Sequence, residues 1–71
     1  MFAVERQKKI LEDLKENGAV WVSKLSQELS VTEETVRRDL EKLEAKELLV
    51  RTHGGAIPLN EGKLELSLEK R

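Results

Sequence analysis

Along the first seventeen residues the apolar positions recur at helical spacing. Ala3, Ile10 and Leu14, with the polar Gln7 between them, follow at intervals of 4, 3 and 4, and Val4 and Leu11 lie beside them. On a helix these positions share one side, while Glu5, Lys9, Glu12, Asp13 and Glu16 face away. The pattern predicts a helix over 2–17, ended at Asn17-Gly18, because glycine enters the left-handed region without steric cost. The run "AVWV" is β-branched and aromatic and too short for a helix. It predicts a strand over 20–22, with Trp21 on the face opposite Val20 and Val22 and packed against a neighbouring hairpin. Ser23 then stands as the N-cap of a second helix, 23–29, in which Leu25 and Leu29 share a face.

A third helix follows closely. Thr32 is placed as its N-cap, and Val31 and Val36 occupy the two positions of a hydrophobic staple. Glu33 and Glu34 fall in the first turn, where the helix dipole favours acids. Val36, Leu40 and Leu43 form the inward stripe of a helix over 33–46. The turn Ser30-Val31-Thr32 gives the second and third helices helix-turn-helix spacing.

Beyond it, "LLVRTHGGAIPL" changes period from 3.6 to 2. Strands over 49–52 and 56–57 flank the turn "HGG", and Pro58, which lacks a donor, suits the end of an edge strand. The expected fold is mainly α with a small β-hairpin: three helices and a two- to three-stranded antiparallel sheet. That element order is the order of a winged helix-turn-helix, with the hairpin tip as the wing. Residues 1–58 form this domain. In 59–71, Leu64, Leu66 and Leu68 alternate with polar residues and have nothing left to pack on, so the segment reads as a linker or as a frayed extension.

Composition adds limits. Seventy-one residues make one small domain with a thin core. The absence of cysteine removes disulfides, thiolate nucleophiles and thiolate metal sites. No apolar run approaches the roughly 18 residues of a membrane span, and the N-terminus lacks an apolar signal core. A cytoplasmic protein without membrane association is expected. One histidine and scattered serines make neither a triad nor a metal cluster, so no enzyme, metal or cofactor is expected. Thirteen Lys and Arg against fourteen Asp and Glu leave a net charge of −1, with no overall basic field to draw in a polyanion. Any anion-binding surface must therefore come from the arrangement of charges on one face.

Such a face exists on the third helix. With Val36, Leu40 and Leu43 inward, Thr35, Arg38 and Lys42 are outward neighbours, and Arg37 projects from one flank near Glu33 and Glu44. A helix of this size fits the major groove, where an arginine fork can bond guanine O6 and N7 together. The same residues also describe a solvated helix with internal pairs Glu33–Arg37 and Glu34–Arg38, and on this helix alone the two readings stand level. Glu33 or Glu34 can also accept from cytosine N4. The turn "RTHGG" moves the balance toward DNA, since it places Arg51, His53, Gly54 and Gly55 at a wing tip able to approach phosphate or enter the minor groove. Ser23 and Lys24, at the start of the second helix, can donate to phosphate. The rival from another class is a winged helix used only for protein contacts, in keeping with the acidic balance.

The blocks "VTEETVRRDLEKLE" and "RTHGGA" resemble the N-terminal domain of DeoR-type bacterial transcription regulators. The resemblance covers about residues 6–58, and "SLEKR" at 67–71 is similar to the linker entering that family's second domain. It implies a winged-helix domain that binds operator DNA, usually within a repressor of sugar-metabolism genes. It also implies a homo-oligomer whose C-terminal domain, outside this chain, binds a phosphorylated sugar. Thr32, Thr35, Arg37, Arg38, Arg51, His53, Gly54 and Gly55 match the family's functional positions. Two departures stand out: Glu47 where the family usually has glycine, and Ser26 where alanine is common. A left-handed Glu47 costs about 1 kcal/mol relative to glycine.

Overall fold

The computed structural model describes residues 2–59. Helix α1 spans Ala3–Asn17, followed by strand β1 at Val20–Trp21 and helices α2 at Val22–Leu29 and α3 at Glu33–Ala45. Strands β2, Leu49–Arg51, and β3, Gly55–Pro58, close the fold. The three strands form one antiparallel sheet in the order β1-β3-β2, with Val20 opposite Ala56 and Val50 opposite Ile57. This is the winged helix-turn-helix that the element order predicts. Among the described residues no helix is long and apolar enough to cross a membrane. The segment 60–71, read from the sequence as a linker, lies outside the described residues.

Every element contributes to one core. Ile10 and Leu14 of α1, Val20, Val22 and Leu25, the α3 stripe Val36, Leu40 and Leu43, and Leu49 and Ala56 of the sheet are all buried. Each large aliphatic side chain in it contributes about 1.5–3 kcal/mol through burial. The start of α1 departs from the expected stripe: Ala3 and Val4 are exposed, because the first turn lies beyond this core.

Local chemistry explains the helix ends. α1 stops where Gly18 turns left-handed, φ 78°, and donates to the Leu14 carbonyl. α2 ends on Ser30, also left-handed, with Val31 N–H donating to the Ser26 carbonyl and Ser30 N–H to that of Gln27. α3 ends in the same way. Glu47 has φ 61°, its N–H donates to the Glu44 carbonyl, and Leu48 N–H donates to that of Leu43. Both are Schellman closures, which satisfy orphan carbonyls but require a left-handed residue. Glu47 therefore occupies the conformation that suits glycine.

Three expectations need correction. The first strand ends at Trp21, and Val22 opens α2, so Ser23 is not the N-cap. Trp21 holds that position with extended backbone and no side-chain cap, while the Val22 N–H donates to the Gly54 carbonyl at 2.9 Å. A tertiary acceptor thus replaces the local one, and α2 starts a residue sooner. Pro58 does not sit on an edge strand, because β3 is central. It escapes the need for a donor because β1 reaches only Gly55 and Ala56. Gly55 is not an exposed residue of the wing tip able to approach phosphate: it is buried in β3. Gly55 is required for another reason: a methyl group there would collide with the Val20 carbonyl oxygen and lie 2.9 Å from Trp21 Cα. The close approach it permits is between β3 and β1.

Candidate nucleic-acid interface

α3 is anchored before it is exposed. Thr32 caps it as expected, its hydroxyl accepting from Thr35 N–H at 3.2 Å and lying 2.9 Å from the Thr35 hydroxyl. Val31 is half-buried against the core beside buried Val36, the arrangement of a staple. With Val36, Leu40 and Leu43 held inward, Arg37, Arg38 and Lys42 are exposed and Thr35 half-exposed. The outward face predicted from helical spacing is present.

Each of its arginines already has an acid. Arg37 Nη2 donates to Glu33 Oε1 at 3.2 Å, and Arg38 Nη2 to Glu34 Oε2 at 2.9 Å. Both are exposed i, i+4 pairs, worth about 0.3–0.5 kcal/mol each, so phosphate or a base edge can displace them readily. The expected neighbour Glu44 is not part of this set. Its Oε2 accepts from the Arg51 N–H on β2, at 2.9 Å. Glu41 Oε2 lies 3.4 Å from Arg51 Nη1. β2 is an edge strand, and an edge N–H needs a partner. Two acids of α3, three residues apart, therefore hold the base of the wing.

The wing tip brings several candidates together. Thr52 N–H donates to the Gly55 carbonyl at 2.9 Å, leaving His53 and Gly54 at the turn, both exposed. Gly54 lies against the ring of Trp21, where an added Cβ would stand 3.6 Å from Cε3. Trp21 packs on the hairpin as expected, yet stays 55% exposed, so one ring face remains open. Gly55 is buried and faces β1 rather than solvent. Ser23 and Lys24 lie exposed in the first turn of α2, beside the Gly54 carbonyl that receives Val22. Wing and α2 are thereby joined at their exposed ends.

Sequence reasoning passed over one constellation. Asp39 of α3 is buried at 2% exposure, on the inward side with Val36 and Leu43. Arg6 of α1 grips it with two nitrogens, Nη2 to Oδ1 at 3.0 Å and Nε to Oδ2. Gln7 Nε2 adds a longer contact of 3.4 Å. The hydrogen bond to Asp39 chiefly raises the Arg6 pKa above its ordinary value; burial opposes the shift and the carboxylate charge assists it. The signal was available: Asp39 stands at i+3 from Val36 and i−4 from Leu43, and an acid on an inward stripe requires a partner.

A helix-turn-helix whose second helix presents arginines, flanked by a hairpin wing, defines the winged helix-turn-helix class of DNA-binding domain. Residues 6–61 match the model of the DeoR-like helix-turn-helix domain, and this chain belongs to that family. It is 46% identical over all 71 residues to the uncharacterized HTH-type transcriptional regulator YulB of Bacillus subtilis (strain 168), spanning 28% of that protein. It is 47% identical over 58 residues, 82% of the chain, to the lactose phosphotransferase system repressor of Lactococcus lactis subsp. lactis, of which the match covers 23%. Over 70 residues, 99% of the chain, it is 36% identical to a putative galactitol utilization operon repressor of Escherichia coli (strain K12), covering 62% of it. The chain thus spans about a quarter of the first two relatives. No solved structure matches it.

Proposed function

We propose that this chain is the operator-binding part of a transcriptional repressor of sugar-utilisation genes. α3 enters the major groove, where Thr35, Arg38 and Lys42 face base edges and Arg37 faces base or phosphate. Glu33 and Glu34 release their arginines on contact. The wing follows the backbone with Arg51, His53 and Gly54, and reaches phosphate or the adjacent minor groove. Thr32, Ser23 and Lys24 take phosphates where α2 crosses the strand. Gly55 serves the wing from within. A further domain of the complete protein binds a phosphorylated sugar and joins copies into an oligomer. The protein works in the cytoplasm as a regulator, without catalysis and without a cofactor in this domain.

The observation that carries this reading is the exposure of Arg37 and Arg38 on an α3 whose opposite side is wholly buried. Titration of isotope-labelled chain with random duplex at low salt tests it. Amide shifts confined to 32–42 and 51–55 are expected. No shift at any duplex concentration would overturn the reading and leave a protein-contact module in its place.

A further inference from the structure

We propose that the buried Arg6–Asp39 pair is a positioning device that sets the rotation of α3 about its own axis, and so decides which side chains face the bases. The inference rests on the DNA reading above. Asp39 follows Arg38 directly, and both are fixed to one helix backbone. Whatever holds the Asp39 carboxylate in place therefore aims Arg38, and with it Thr35 and Lys42, which stand one turn either side of Asp39 on the adjoining flank.

The rest of the α3 interior decides which side faces inward but does not fix the angle finely. Val36, Leu40 and Leu43 are buried in an apolar core, and apolar burial is non-directional. A guanidinium fork on a carboxylate is directional, because two nitrogens must meet two oxygens in one plane. Arg6 makes that two-pronged contact from the neighbouring helix, with Gln7 on the same carboxylate. The lever is large. Side chains reach about 5–6 Å from a helix axis, so a turn of ~20° moves their ends by about 2 Å. Hydrogen bonds to base edges tolerate far less than that. Stability does not account for such a pair, since well-packed apolar residues often replace buried ion pairs without loss. Of the buried residues, Asp39 is the only polar one among those described, and no buried polar side-chain atom there lacks a partner.

The test separates orientation from folding and from DNA binding itself. The variant Arg6→Met with Asp39→Leu exchanges the pair for an apolar contact, and Arg6→Lys keeps the charge but removes the fork. Two DNA probes serve: a random duplex pool, and the tightest duplex the unaltered chain selects from it. For the double variant we expect an unchanged thermal midpoint and random-pool affinity within about twofold, because its phosphate contacts remain. Affinity for the selected duplex should fall at least tenfold. Arg6→Lys should lose several-fold on the selected duplex with unchanged helix content. Equal discrimination by the unaltered chain and Arg6→Lys overturns the inference, even if the double variant does not fold. Residual dipolar couplings of the free protein give an answer independent of DNA. The orientation of α3 relative to α1 should change in Arg6→Lys, and an unchanged orientation overturns the inference. If the unaltered chain prefers no duplex, the DNA reading fails alone, and the couplings still decide the positioning role.

Discussion

Glu47 shows how a single residue can be locally wrong and globally tolerated. Its φ of 61° places Cβ against the following carbonyl, a strain glycine does not carry. The Schellman closure of α3 nevertheless demands that conformation, since Glu47 and Leu48 satisfy the carbonyls of Glu44 and Leu43. Glu47→Gly should therefore stabilise the domain by about 1 kcal/mol. A chemical denaturation curve checks this: the midpoint rises while the slope stays the same. The substitution lies past the end of α3, so duplex affinity should not change. Residue-scale chemistry was legible wherever both partners are close in sequence. The Thr32 cap and the Glu33–Arg37 and Glu34–Arg38 pairs follow from spacings of four residues or fewer, while the left-handed position at Glu47 was marked only by the glycine that the resembling family usually has there. Asp39 and Gly55 were not legible in this way, because their partners, Arg6 and Val20, come from other elements.

At the scale of the element, α3 carries its own competitor for DNA. Glu33 and Glu34 add to the helix dipole by a few tenths of a kcal/mol each and hold Arg37 and Arg38 through weak exposed pairs. Those acids also repel phosphate. Replacing both by glutamine should change fold stability by less than about 1 kcal/mol and tighten random-duplex binding by roughly three- to tenfold at low salt. Fluorescence anisotropy with a labelled duplex reads this directly. A loss of affinity would show instead that the carboxylates accept from bases. The elements themselves were well marked by periodicity, and their order was enough to name the winged helix-turn-helix. Their boundaries depended on neighbours. β1 gives up Val22 because the Gly54 carbonyl takes its N–H, and the wing base is held by Glu41 and Glu44, of which helical spacing set Glu44 near Arg37 instead.

For the whole molecule, net charge is a poor guide to partner. The chain carries −1, yet Lys24, Arg37, Arg38, Lys42 and Arg51 are all exposed, on α2, α3 and the wing. If each meets one phosphate, the log–log dependence of duplex affinity on salt should have a slope of roughly −4 to −5 per domain. Those that read bases instead reduce the magnitude. Measuring affinity across a series of salt concentrations gives the number, and a slope near zero would remove phosphate contacts from the account. The chain spans about a quarter of the length of relatives such as the lactose phosphotransferase system repressor.

The sequence by itself determined the helices, the wing and the outward arginines, because periodicity, caps and turn residues act over a few neighbouring positions; the family came from the resemblance of two motif blocks. Only the tertiary structure decided which carboxylate meets which cation across elements. It also decided where α2 begins, why Gly55 must lack a side chain, and which cation meets Asp39. Those depend on the distances between parts of the chain that only packing brings together, and neither charge nor spacing along the sequence contains them.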